Sequence, residues 1–127
     1  MLKQTVKYTD FDGQECTEDL YFNLTETELR EMSVLKKEGL DKYIKRIVKA
    51  NNAKEIYDTF KMIVLKAYGV KSPDGKRFIK KENGVRLADE FVETAAYNQL
   101  MLDLFDDETG KKAADFISGM LPKNVNN

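Results

Sequence analysis

The chain has 127 residues, of which 42% are hydrophobic and 34% are charged, and its formal net charge is −1. This length and composition are typical of one folded domain with its own hydrophobic core, and they exclude an intrinsically disordered chain. The sequence contains no histidine and one cysteine, Cys16, which excludes histidine-dependent triads, histidine zinc sites and an intramolecular disulfide. We therefore expect a protein that is not an enzyme and that has no cofactor or metal site.

The charge is distributed unevenly along the chain. Residues 1–35 have a net charge of −5 (three basic, eight acidic), residues 36–81 have +9 (14 basic, five acidic) and residues 82–127 have −5 (four basic, nine acidic). Either the acidic ends fold against the basic middle, or the middle binds nucleic acid. No apolar run approaches the roughly 18–20 residues of a membrane span, and residues 1–5 lack an apolar signal segment, so a cytoplasmic protein is expected.

Residues 2–22 alternate in polarity and predict a β-hairpin. A two-residue loop would place the apolar faces of its strands on opposite sides of the hairpin. A three-residue loop with Gly13 in the left-handed region aligns those faces and sets Tyr8 opposite Cys16. Cys16 is then a small apolar strand residue and not a reactive thiol.

The first helix is predicted from its start. Thr25 and Glu28 form a capping box, and the helix is expected to extend through Met32 and Leu35 and to stop near Gly39.

The second helix has two faces. Its apolar stripe comprises Leu40, Tyr43, Ile44, Ile47 and Val48. Its basic stripe comprises Lys42, Lys45, Arg46 and Lys49. The basic stripe is interpreted either as a solvated face or as a docking surface for an acidic partner.

A third helix is predicted to begin at the N-cap Asn52, with Glu55 in its first turn, and to end at Gly69. One apolar stripe comprises Ile56, Phe60, Ile63, Val64 and Ala67. A second apolar face comprises Tyr57, Met62, Leu65 and Tyr68. A helix that is apolar nearly all round is normally buried, and the alternative is that the second face is exposed and binds a partner.

Residues 72–75, Ser-Pro-Asp-Gly, predict a turn, and residues 76–81 a short extended or irregular connection. Helix is expected to resume near Val85 or Arg86. The apolar stripe then changes phase, which predicts a break near Thr94 and a new helix capped there.

The last predicted helix follows an acidic turn. Asp103, Asp106, Asp107 and Glu108 match no metal-binding loop, so these residues are interpreted as a helix start. The final apolar stripe comprises Ala113, Phe116, Ile117, Met120 and Leu121. Pro122 ends the helix, and residues 123–127 are expected to be a frayed tail.

Residues 22–25, Phe-Asn-Leu-Thr, and residues 72–80, Ser-Pro-Asp-Gly-Lys-Arg-Phe-Ile-Lys, are the most specific parts of a longer pattern. Three less specific segments accompany them, namely residues 44–48, 65–69 and 96–100. With this order of elements, the chain resembles the tail assembly chaperones of long-tailed, siphovirus-type phages and prophages of Gram-positive bacteria. The resemblance extends from about residue 3 to residue 122.

The resemblance implies a non-catalytic chaperone that binds the tape-measure protein and keeps it soluble in the bacterial host cytoplasm during tail assembly. It also implies that the protein leaves before the tail is complete, so that the mature virion lacks it. The major tail protein and a frameshifted longer form of the chain are further expected partners, and this chain would be the short form. An alternative function follows from the residues themselves: a small helical nucleic-acid-binding or regulatory protein that uses the basic face of residues 42–49.

We predict an α+β, mostly α-helical fold in which the hairpin packs on a bundle of about five helices. Residues 1–122 are expected to form a single domain, with the hairpin at 2–22 and the helical part at 25–122. A client groove is expected on the C-terminal stripe, because a terminal helix is the easiest to displace. That stripe comprises Phe116, Ile117, Met120 and Leu121. The second face of the third helix and the basic stripe of the second helix are the other candidate partner-binding residues.

Overall fold

A four-stranded antiparallel sheet, a two-stranded ladder and six helices make up the part of the chain that this computed structural model describes, namely residues 1–32, 39–50, 52–106 and 110–120. The strands are β1 (Leu2–Thr9), β2 (Glu15–Phe22), β3 (Tyr68–Lys71), β4 (Phe78–Ile79), β5 (Lys81–Glu82) and β6 (Val85–Arg86). The helices are α1 (Glu26–Glu31), α2 (Gly39–Ala50), α3 (Ala53–Ala67), α4 (Leu87–Phe91), α5 (Ala95–Leu104) and α6 (Lys111–Met120). Of these six helices, α4 is a short helix of five residues. The predicted α+β fold with about five helices is therefore confirmed.

Strands β1 and β2 form the predicted hairpin in the predicted register, with Tyr8 opposite Cys16. Gly13 has a φ of +81°, as the three-residue loop requires. The N–H of Asp10 donates to the Gln14 carbonyl oxygen at 2.9 Å and closes that loop. One face of the hairpin is buried, and β1 contacts α5. These contacts stabilise the hairpin, since an isolated hairpin is not stable in water.

Helix α1 starts with the predicted capping box. The Thr25 hydroxyl accepts a hydrogen bond from the Glu28 N–H, and the Glu28 carboxylate accepts one from the Thr25 N–H. The helix is described only as far as Glu31, and its predicted continuation through Leu35 falls in residues 33–38, outside the described ranges. Gly39, which was expected near the end of this helix, is the first residue of α2.

Helices α2 and α3 form where the apolar periodicity predicts them. Tyr43 of α2 packs against the core. The side chains of its other stripe residues, Leu40, Ile44, Ile47 and Val48, lie outside the described set. The Asn52 side chain accepts from the Glu55 N–H at 3.1 Å and caps α3. The first apolar stripe of α3, from Ile56 to Ala67, is at most 8% exposed, so this prediction is confirmed.

Strand begins at Tyr68, where the sequence predicted that helix would continue to Gly69. Helix α3 ends at Ala67, and Gly69, predicted as the helix stop, lies inside β3 between β2 and β4. A Cβ on Gly69 would lie 2.6 Å from the Phe78 ring and 2.7 Å from the Ile79 carbonyl oxygen, so glycine is required by the close approach of β4. Residues 76–81, expected to be an extended or irregular connection, contain all of β4 and the start of β5.

The turn at residues 72–75 and the helix break before Thr94 are as predicted, whereas Val85 and Arg86, near which helix was expected to resume, form β6, and α4 begins at Leu87. Gly75 has a φ of +73° in the turn at residues 72–75, and the Ser72 hydroxyl donates to the Asp74 carboxylate at 2.6 Å. Helix breaks after α4, and the Thr94 hydroxyl accepts from the Tyr97 N–H and caps α5. The predicted acidic turn before α6 includes residues 107–109, which lie outside the described ranges.

The core centres on Phe22, which is fully buried. Its ring lies 5.0 Å from the ring of Phe116, 5.8 Å from that of Tyr68 and 6.2 Å from that of Phe91. One hairpin residue thus joins α6, β3 and α4 through aromatic contacts, of which those with Phe116 and Phe91 are edge-to-face and that with Tyr68 is tilted.

Candidate partner-binding surfaces

The C-terminal stripe lies in the core of this structure. Phe116 is 6% exposed, and Ile117 and Met120 are fully buried. Gly119 of the same helix faces the Leu2 side chain closely enough that a Cβ there would lie 3.4 Å from Leu2 Cδ1. Leu121, the last residue of the stripe, lies outside the described residues. Client binding through this stripe requires α6 to separate from the hairpin, and it stays a prediction.

The second face of α3 is divided by the structure. Tyr57 and Met62 are each 39% exposed, whereas Leu65 is half-buried and packs against the core. Tyr57 lies against Phe105, with ring centroids 5.2 Å apart. Tyr68 belongs to β3 and not to the helix. Two of the four predicted residues therefore remain at the surface of α3, and the fourth belongs to a different surface.

The basic stripe of α2 is exposed to solvent. It comprises Lys42, Lys45, Arg46 and Lys49. The Arg46 guanidinium lies 5.1 Å from the centre of the Tyr43 ring, a cation–π contact that orients this part of the stripe. Four cations on one helix face make a positive surface that suits an acidic partner.

Lys80 joins three elements, a role that its sequence context did not suggest. Its ammonium donates to the Asn23 carbonyl at 2.8 Å, to the Lys66 carbonyl at 2.7 Å and to the Glu28 carboxylate at 2.6 Å. Burial raises the pKa of the Glu28 carboxyl, but the hydrogen bonds from Lys80 and from the Thr25 N–H outweigh burial and lower that pKa below its usual value. We call these contacts the Lys80 tether. The tether connects the start of α1 and the last turn of α3 to the link between β4 and β5.

A groove between β3, β4 and α4 was not predicted either. Its volume is about 270 Å³, and we call it the β3–α4 groove. Its lining consists of Tyr68, Val70, Ile79, Glu82, Leu87, Glu90, Phe91 and Thr94. The sequence signal was weak, because the lining residues are spread over four short elements whose pairing depends on the tertiary structure.

Cys16 and the acidic residues near α6 have ordinary structural partners. Burial raises the pKa of the Cys16 thiol, which donates to the Asp10 carboxylate at 3.6 Å, so the thiol stays protonated at neutral pH. Asp103 accepts a hydrogen bond from the Gln99 amide and Asp106 one from the Lys112 ammonium. Among the residues described, no group of three or more cysteine, aspartate or glutamate side chains is placed to hold a metal ion.

No helix in the described ranges combines the length and the apolar character that crossing a membrane requires. A family model described as phage tail assembly chaperone matches residues 1–127. No curated protein and no solved structure shows a significant match to the chain.

Proposed function

Since this chain belongs to the family of phage tail assembly chaperones, we propose that it binds the tape-measure protein and keeps it soluble while the tail is built. The family match over the whole chain is the observation that carries the proposal. The protein is a non-catalytic assembly factor of this family. The absence of histidine and the structural partners of Cys16 are consistent with that role.

The place and the further partners of the chaperone are part of the same proposal. We infer that it acts in the cytoplasm of a Gram-positive host, for a long-tailed phage or prophage, and that it leaves before the virion is complete. The resemblance of residues 22–25 and 72–80 supports this inference. The major tail protein and a frameshifted longer form of this chain are its proposed additional partners.

A chaperone of a long helical client needs apolar surface that accepts an amphipathic helix. Tyr57 and Met62 supply such surface in this structure, since each is 39% exposed. The C-terminal stripe would add a larger apolar area after α6 separates from Phe22, so client binding through it is coupled to opening of the fold. Phe116→Asp is expected to destabilise the fold, because Phe116 is 6% exposed. Met62→Asp is expected to leave the chain folded, because Met62 is 39% exposed.

The proposal is tested by co-expressing the chain with the tape-measure protein encoded in the same phage genome. We expect the tape-measure protein to enter the soluble fraction and to co-purify with the chain at both low and high salt, since apolar contacts persist in salt. A tape-measure protein that stays insoluble in the presence of the folded chain would refute the proposal. Met62→Asp is expected to reduce the soluble yield, with Lys54→Met as a surface control that leaves it unchanged.

Nucleic-acid binding is the second candidate function, and the exposed basic stripe of α2 favours it. Binding through phosphates falls steeply between low and moderate salt because counterions are released. Replacing all four stripe cations by glutamine would abolish nucleic-acid binding and leave tape-measure solubilisation intact. Loss of solubilisation in that variant would show instead that the stripe contacts the client.

A further inference from the structure

Two stacked aromatic rings form the apolar floor of the β3–α4 groove. The Tyr68 ring stacks on the Phe91 ring at 3.9 Å, with 2° between the ring planes. Phe91 is 3% exposed and contacts Phe22, so the floor is anchored to the core. Val70 lies opposite Ile79 in the β3–β4 pair and is 47% exposed. The apolar surface of the groove is therefore preformed, which lowers the entropic cost of binding a partner.

The size of the groove selects the kind of occupant. Its volume of about 270 Å³ exceeds the roughly 150 Å³ of an engineered apolar cavity that binds benzene. It is smaller than the roughly 300–1,000 Å³ that is usual for small-molecule and cofactor sites. A groove of this size accommodates one large apolar side chain of another protein.

The charge of the groove further restricts the kind of segment that can bind there. Glu82 of β5 and Glu90 of α4 line it, and both are exposed. Within the described ranges, neither carboxylate forms a salt bridge. Burial raises the pKa of Tyr68, and the negative charges of Glu18 and Glu90 raise it further. An acidic segment would be repelled there, whereas lysine or arginine would be attracted.

We propose that the β3–α4 groove binds a client segment in which lysine or arginine residues flank one large apolar side chain. The apolar side chain lies on Tyr68 and Val70, and the flanking cations pair with Glu82 and Glu90. This assignment rests on the proposed chaperone function, because the client is the tail protein that the chain keeps soluble. It differs from the C-terminal stripe in that binding requires no opening of the fold.

The test uses the purified full chain and three synthetic helical peptides labelled with a fluorophore. The first peptide carries a central leucine with lysines one helical turn away on both sides, the second replaces these lysines by glutamates, and the third replaces the leucine by alanine. We expect the first peptide to bind about tenfold or more tightly than either of the others in fluorescence anisotropy titrations. Equal affinity for the lysine and glutamate peptides would overturn the proposal.

Substitutions inside and outside the groove test whether the lysine peptide binds there. Val70→Asp and the double variant Glu82→Lys, Glu90→Lys are each expected to weaken binding of the lysine peptide about tenfold. Leu102→Asp and Glu15→Lys are the matched controls, because both positions are exposed and neither lines the groove. Thermal unfolding followed by circular dichroism confirms that all variants remain folded. A loss of affinity in the controls equal to that in the groove variants would also overturn the proposal.

The same variants separate this proposal from the chaperone function. If the wild-type chain solubilises the co-expressed tape-measure protein and the double variant does so equally well, the groove assignment is wrong and the proposed function stands. If the wild-type chain fails to solubilise the tape-measure protein but binds the lysine peptide selectively, the proposed function is wrong and the chemistry assigned to the groove stands. Loss of solubilisation in the double variant alone supports both.

Discussion

Replacing Lys80 by methionine tests whether the tether holds the N-terminal and central elements together. Methionine keeps an apolar stem of similar length and removes the ammonium, so the change is confined to the three polar contacts. It leaves the Glu28 carboxylate without its cation and leaves the carbonyl oxygens of Asn23 and Lys66 without this donor. The perturbation therefore acts at the junction of α1, α3 and the β4–β5 link.

The magnitude follows from the exposure of the contacts. The side chain of Lys80 is 25% exposed and that of Glu28 is 33% exposed. Removing one partner of a fully buried ion pair costs about 3–5 kcal/mol, and solvent screening reduces that cost here. Each hydrogen bond to a charged group contributes about 1.5–3 kcal/mol, but the contributions of contacts that share one ammonium are not additive. We expect Lys80→Met to lower the free energy of unfolding by about 2–4 kcal/mol.

Urea denaturation of the full chain, followed by circular dichroism, measures this loss. Lys54→Met is the matched control, because the Lys54–Asp58 pair is separated by 3.3 Å and its side chains are 89% and 59% exposed. That variant is expected to lose at most about 0.5 kcal/mol. A double-mutant cycle between Lys80→Met and Glu28→Gln isolates the pair. If Lys80→Met is as stable as the Lys54→Met control, the tether does not stabilise the fold.

The remaining predictions also concern stability. Since the pKa of Glu28 is lowered in the folded state, its carboxylate stabilises the fold at pH values above its ordinary pKa of 4.5, and this contribution is lost as the pH falls below 4.5. The free energy of unfolding should therefore fall more steeply with decreasing pH below 4.5 for the wild type than for Glu28→Gln. Equal slopes would contradict the lowered pKa. Phe22→Ala should cost about 3–5 kcal/mol because the ring is fully buried among three others, and an unchanged urea midpoint would contradict its central place in the core. Thr25→Ala should cost about 1 kcal/mol through loss of the helix cap, with Thr9→Ala, at an exposed strand position, as a neutral comparison. Gly69→Ala should cost about 1–3 kcal/mol because its Cβ would overlap the Phe78 ring and the Ile79 carbonyl; a variant that is more stable than the wild type would show that β4 moves away without penalty.

The features that the sequence predicted are those decided within a few residues of chain. The capping box of Thr25 and Glu28 closes over three residues, and the hairpin register follows from the polarity of two adjacent strands joined by Gly13. The break at Thr94 is visible as a change of phase in the apolar period. Such features depend on local hydrogen bonds and on which face of an element is apolar, so the sequence contains nearly all of the information.

Gly69 shows where local information ends. A glycine after an apolar helix indicates a helix stop, yet this one lies in a strand because β3 pairs with β2, far away in the sequence, where Gly69 lies opposite Tyr21. Strands of two residues, such as β4, have too few positions to show a period, so only their pairing defines them.

The candidate surfaces divide in the same way. The basic face of α2 and the apolar stripes of α3 and α6 can be read from the sequence alone, because these properties belong to single helices. Other contacts are set by the packing of the whole fold: Phe116 packs on Phe22, Tyr68 stacks on Phe91 beside Glu90, and Lys80 reaches Glu28 across 52 positions of sequence. Which apolar residues are covered and which cations find a partner depends on contacts between elements far apart in the chain, and the period of a single helix or strand does not contain those contacts.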